Sequence, residues 1–152
     1  INVGRKEARL YIDSYLEKYS GVRKYMHDIV EKAKENGYVS TIFGRRRYLP
    51  ELKSKNYNIR SFGERVAMNM PIQGTAADII KLAMLRVDNR LKEEGMKTRL
   101  LLQVHDELIA EAPVSEADKA CRILTEEMEN VIKLSVPLVA EAHFGGNWHD
   151  AK

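Results

Sequence analysis

Leu100-Leu101-Leu102-Gln103-Val104-His105-Asp106-Glu107-Leu108-Ile109-Ala110-Glu111-Ala112-Pro113 is the stretch whose reading decides the fold. Two apolar runs of strand length flank a polar break at His105-Asp106-Glu107, which predicts a β-hairpin with a carboxylate pair at its tip. Turns between apolar strands are ordinarily made of Gly, Asn or Pro, so His-Asp is a poor choice if turning is the only task. Acids at the tip of a buried hairpin repel each other and resist desolvation, so something should offset their charge. A divalent cation is the commonest such partner, and magnesium uses one or two carboxylates together with substrate phosphates. The plain alternative is a solvent-exposed polar turn, because these residues lack the fixed ligand spacing that marks a zinc site.

The remaining composition is compatible with one domain. A chain of 152 residues can bury a core, and 44% hydrophobic with 31% charged residues fits a soluble α/β or α+β protein. No apolar run is long enough to span a membrane, and the start does not read as a signal peptide. The single cysteine, Cys121, forbids an internal disulfide, suits a reducing compartment, and sits in a helical pattern as a structural thiol. The net charge of +3 does not announce a nucleic-acid binder, but its distribution is uneven. Arg45-Arg46-Arg47 are followed by Lys53, Lys55, Arg60 and Arg65, whereas residues 106–129 are mainly acidic. The chain starts at Ile1 without Met and opens almost directly into a helical pattern, which suits a piece of something longer.

Upstream of the hairpin, Ala8, Tyr11, Ile12, Tyr15, Leu16 and Tyr19 have the spacing of an amphipathic helix, broken at Ser20-Gly21. A second helix carries Val22, Tyr25, Met26, Ile29, Val30 and Ala33 on one side and stops at Asn36-Gly37. Residues 38–43 read as a strand turned by Gly44, with residues 45–49 as its return partner. Three arginines beside a Gly turn can grip phosphates through forked, charge-assisted donors, or can simply form a solvated basic turn. Residues 50–58 read as a loop, and residues 59–95 as a helix with a kink or break at Pro71.

Around that proline, Arg65, Asn69 and Gln73 are spaced four and four, so on a continuous helix they share a face. The minor groove of DNA offers purine N3 and pyrimidine O2 acceptors at every base pair. A row of donors can therefore hold a duplex without reading its sequence. An ordinary polar helix face has the same spacing. Downstream of the hairpin, Ser115-Glu116-Ala117-Asp118 resembles a capping box that opens another helix. Residues 136–144 read as an edge strand, and Gly145-Gly146-Asn147-Trp148 as a turn with Trp148 packing the C-terminal end.

Taken together, residues 37–50 (GYVSTIFGRRRYLP), 64–78 (ERVAMNMPIQGTAAD) and 102–108 (LQVHDEL) resemble the C-terminal part of the bacterial family A DNA polymerases, the DNA polymerase I type. The three blocks occur in the family's order and spacing, and Gly145-Gly146-Asn147-Trp148 with Ala151-Lys152 resembles its ending. The resemblance implies an α+β fold: a small antiparallel sheet around the catalytic hairpin, packed by long helices as part of a polymerase palm. It implies helices adjoining the fingers over residues 1–37 and a palm portion over residues 38–152. By that resemblance Asp106 is a ligand of the catalytic Mg²⁺ ions, Glu107 a neighbouring carboxylate, and His105 a residue near the primer terminus. Arg65, Asn69 and Gln73 match positions that contact primer–template DNA at the minor groove, and Arg45, Arg46 and Arg47 lie by the nucleic acid.

Two-metal phosphoryl transfer needs at least two carboxylates from different strands. The family's first motif supplies the partner Asp, and its second motif supplies the Lys, Arg and Tyr that bind the deoxynucleoside triphosphate. Neither is present here, which implies a C-terminal fragment inactive alone, from a parent that is a DNA-directed DNA polymerase of replication and repair. A bacterial, cytoplasmic, nucleoid-associated setting goes with that reading. A stand-alone, non-catalytic duplex-DNA-binding module is the alternative. A metal-dependent nuclease is a third reading, for which Asp78, Glu64 and Glu111 are the candidate extra acids. A chain cut from its parent should expose apolar surface and could self-associate through it.

Overall fold

The computed structural model describes residues 3–151. Helices α1 (Arg5–Lys18) and α2 (Ser20–Asn36) lead to a hairpin of β1 (Tyr38–Ser40) and β2 (Arg46–Tyr48). A 3₁₀ turn (Pro50–Lys53) precedes the long helix α3 (Tyr57–Glu93). The hairpin of β3 (Arg99–Val104) and β4 (Glu107–Glu111) follows, then α4 (Ala117–Glu129). The class is α+β, with two separate two-stranded antiparallel sheets. The chain divides into two compact units, residues 1–75 and 76–152.

In the first unit the core is small: Ala33, Val39, Leu49, Leu52 and Ala67, with Ile29, Val30, Val66 and Met70 packed around them. Gly37 adopts φ +78° and closes α2 through its N–H to the Ala33 carbonyl, so the expected stop is where it was placed. The break between α1 and α2 is Tyr19 alone, and α2 already starts at Ser20. Tyr25, whose phenol is pushed up by burial, donates to the Met68 carbonyl at 3.1 Å and ties α2 to α3. α1 buries no residue, and Leu10, Tyr11, Ile12 and Tyr15 all face solvent. Its apolar stripe forms the helix without being covered.

Two expectations change here. Residues 50–58 are not a plain loop: Pro50 sets the 3₁₀ turn, and the Asn56 side chain accepts from the Asn58 N–H at 2.9 Å as a helix N-cap. Pro71 does not end the helix, because α3 runs through it without interruption.

The second unit packs Val87, Leu91 and Ile123 with Met96, Leu100, Leu108 and Leu124. α3 ends in a Schellman closure, with Gly95 (φ +64°) donating to the Lys92 carbonyl and Met96 to the Leu91 carbonyl. Glu127 on α4 is held by Arg86 at 2.8 Å and Arg90 at 3.3 Å. Cys121 lines an open pocket with Asp118 and His143, and burial pushes its thiol above the ordinary value.

The capping box does not form. Glu116 turns away from its helix and accepts from the N–H groups of Lys97 and Thr98 and, at 2.6 Å, from the Thr98 hydroxyl. Those donors satisfy the carboxylate better than a partly occupied helix start could. The strand expected at residues 136–144 is also absent. Pro137 removes one donor, no strand lies beside the segment among the described residues, and the Ala140 N–H goes to the Glu129 carboxylate.

The Thr98 hydroxyl, followed by the Lys97 N–H, holds the Glu116 carboxyl below its ordinary value of 4.5. A carboxyl depressed in the folded state stabilises fully above its unfolded value and loses that contribution as pH falls through its folded one. Glu116→Gln is therefore expected to lower the melting midpoint by a few degrees at pH 7. The difference from wild type should shrink below pH 4.5 in thermal melts followed by circular dichroism.

Candidate active site

The β3–β4 register pairs Val104 with Glu107, leaving His105-Asp106 as a two-residue turn. His105 has φ +54°, the one non-glycine among the described residues with a positive φ. A positive φ at the first turn position and not at the second is the sign pattern of a type II′ turn, ordinarily served by glycine. The left-handed region costs an L-residue about 1–2 kcal/mol. The Gln103 side-chain amide donates to the His105 carbonyl at 2.5 Å and braces this backbone. At the other end of the hairpin, Arg99 pairs with Glu111 across the strands at 2.8 Å. Between them Leu101 is skipped in the register, a bulge of the kind that re-aims strands beside functional sites. The turn thus lies where the polar break was read, and its backbone strain is a local anomaly that packing does not explain.

Asp106 and Glu107 are both exposed. The desolvation that would demand a cation is therefore not supplied within this chain, since water solvates both carboxylates. Their chemistry suits a hard cation such as Mg²⁺, which takes oxygen ligands. Among the described residues, however, no group of three or more His, Cys, Asp or Glu side chains could hold a metal. What is present is a pair of oxygen donors, not a complete site. The extra acid needed for a nuclease is likewise not gathered here. Glu111 belongs to the Arg99 pair, and Glu64 lies 3.6 Å from Lys34.

Arg65, Asn69 and Gln73 are all exposed on α3, whose continuity keeps them on one face. The Arg65 guanidinium is steered by the Ser61 hydroxyl at 3.1 Å and lies 6.0 Å from the Phe62 ring centroid. These residues belong to the first unit and His105, Asp106 and Glu107 to the second. The three consecutive arginines differ from one another. Arg45 donates to the Gly74 carbonyl at 2.9 Å, Arg46 stacks on Tyr38 at 4.5 Å, and Arg47 is exposed on β2 opposite Val39. Sequence reasoning missed Thr41, Gly74 and Thr75, which meet at this turn. A Gly-Thr pair inside a long helix was the available signal, since both are poor helix formers.

The strain at the tip is open to measurement. Glycine would remove about 1–2 kcal/mol of left-handed strain and add about 0.5–1 kcal/mol of unfolded-state entropy. His105→Gly is therefore expected to stabilise the fold by roughly 0.5–1 kcal/mol in a denaturant titration. Destabilisation would show that His105 makes contacts outweighing the strain.

The comparisons agree on one origin. The family model of DNA polymerase family A matches residues 1–150. Over all 152 residues the chain is 55% identical to DNA polymerase I of Bacillus caldotenax and 55% identical to that of Bacillus subtilis strain 168. It is 49% identical to DNA polymerase I of Caldicellulosiruptor bescii. It spans 17–18% of the length of these relatives. A solved structure titled the POL domain of Pol1 from M. smegmatis, in complex with DNA primer-template and dNTP, superposes with a TM-score of 0.94 at 45% identity. That match covers 98% of this chain and 26% of the other. With whole-chain identities of this size and a family match over nearly every residue, the chain belongs to DNA polymerase family A.

Proposed function

We propose that this chain is the C-terminal, palm-containing part of a DNA-directed DNA polymerase, and that it brings one half of a two-metal site and part of the duplex grip. The observation that carries the reading is the Asp106–Glu107 pair, with Asp106 in the strained two-residue turn and Glu107 directly after it. Asp106 offers carboxylate oxygens to Mg²⁺, and Glu107 stands beside it as a second acid. Bound Mg²⁺ supplies Lewis-acid stabilisation of the attacking primer 3′ oxygen and of the leaving pyrophosphate. The partner carboxylate and most of the deoxynucleoside triphosphate site come from other parts of the polymerase. His105 lies by the primer terminus, its carbonyl held by Gln103.

The exposed row Arg65, Asn69 and Gln73 donates to minor-groove acceptors of primer–template DNA, and Arg46 and Arg47 present positive charge beside it. Residues 1–37 adjoin the fingers and residues 38–152 form the palm portion. The setting is bacterial, cytoplasmic and nucleoid-associated, and the role is in replication and repair. A chain separated from its parent keeps the duplex grip, does not extend primers, and self-associates through faces such as the exposed stripe of α1.

In the polymerase that contains this chain, Asp106→Ala is expected to reduce nucleotide addition by on the order of 10²-fold or more while primer–template affinity holds. Primer extension with Mg²⁺ and four nucleotides beside a binding titration measures both. Near-normal incorporation would defeat the metal-ligand assignment. Arg65→Ala is expected to weaken duplex binding roughly tenfold, and similarly across several DNA sequences, because the groove acceptors are degenerate. A strongly sequence-dependent loss would contradict the donor-row reading.

A further inference from the structure

Pro71 sits inside the donor row. It has no N–H for the Ala67 carbonyl, and its ring crowds the preceding turn, so a helix with nothing else to hold it would kink there. Arg65 and Asn69 precede that weak point and Gln73 follows it. Whether the three donors stay on one face depends on what fixes the helix just beyond the proline.

The β1–β2 turn is seated at that place. Arg45 donates through Nη2 to the Gly74 carbonyl at 2.9 Å. The Thr75 hydroxyl accepts from the Ile42 N–H at 3.2 Å and donates to the Pro71 carbonyl at 2.5 Å. One hydroxyl thus ties the β1–β2 turn to the helical turn that begins at Pro71. The turn itself is closed by reciprocal bonds, with Thr41 N–H to the Arg45 carbonyl, Gly44 N–H to the Thr41 carbonyl, and Arg45 N–H to the Thr41 hydroxyl. Gly74 leaves no clearance, for a Cβ there would lie 2.8 Å from the buried Thr41 Cγ2. The apolar side chains of the turn, Ile42 and Phe43, face solvent. Its hydrogen bonds to the helix go to the Gly74 carbonyl and the Thr75 hydroxyl, and the Thr41 methyl packs against Gly74.

We propose that Arg45 and Thr75 are positioning residues for Gln73: the β1–β2 turn splints α3 past Pro71 and fixes where the last donor of the row points. The proposal rests on the reading of Arg65, Asn69 and Gln73 as duplex donors. It gives Arg45 a role distinct from that of a phosphate-gripping arginine, and the two roles differ in salt dependence. Each phosphate contact contributes about −0.9 to the slope of log K against log salt, whereas a residue that only orients Gln73 contributes nothing.

The test uses the polymerase that contains this chain and titrates primer–template duplex at several salt concentrations. Gln73→Ala is expected to weaken binding about fivefold. Arg45→Ala and Thr75→Val should each lose about as much, with the salt slope unchanged and almost no further loss in the Gln73→Ala background. Thr75 carries no charge, so its loss reads positioning alone, and Thr75→Ser, which keeps the hydroxyl, should restore affinity. An Arg45→Ala loss that adds to that of Gln73→Ala and lowers the slope by about one would overturn the proposal in favour of a phosphate contact. So would wild-type affinity for both Arg45→Ala and Thr75→Val. Wild-type affinity for Gln73→Ala would instead overturn the donor-row reading beneath it.

Discussion

Ala33 and Ala67 are wholly buried, and Gly74 has no room for a β-carbon. These three small residues set how closely α3 meets the rest of the first unit, and everything else there adjusts to that approach. Leu49 and Val39 then fill the space beside the alanines, and Tyr25 reaches the Met68 carbonyl because the helices are near enough. A larger side chain at any of the three positions would meet side chains packed without voids, where overpacking costs about 1–3 kcal/mol. The consequence for the candidate site is direct. The face with Arg65, Asn69 and Gln73 points outward because the opposite face is drawn in this tightly.

The second unit is organised differently. Its apolar core is short, and half-buried carboxylates do much of the joining. Glu127 gathers two arginines of α3, and Glu116 gathers two backbone N–H groups and a hydroxyl ahead of β3. The hairpin emerges from between these anchors, with Leu100 and Leu108 on the core and the acids at the far end in water. Leu108 is two residues from Asp106, so the placement of the carboxylate depends closely on that packing.

Much of this was legible in the sequence. The helices followed from their periodicity, Gly37 from its place after Asn36, and the hairpin from two apolar runs around an ill-suited turn. The anomaly at His105-Asp106 was visible as composition and reappears as a positive φ. What was not legible depended on competition between partners. Asn56 reads as a loop residue until the helix behind it is seen to need a cap. Ser115 and Asp118 have the spacing of a capping box, but the three donors that Glu116 gathers lie 18 and 19 residues away, which is not a local pattern. Residues 136–144 have strand composition, yet a strand exists only where another strand can accept it. The bonds of Arg45 to Gly74 and of Ile42 to Thr75 likewise join residues that lie 29 and 33 positions apart, which no helical pattern could bring together.

Cys121 is the one cysteine in this chain, and burial raises its thiol above the ordinary value. At neutral pH it holds even less thiolate than the few per cent of a free cysteine, and thiolate is the reactive form. A second cysteine introduced on an exposed helix or turn would therefore meet maleimide or iodoacetamide probes well before Cys121 does. The molecule comes with a quiet chemical background, suited to placing a spin label or fluorophore at one chosen position without first removing a native thiol.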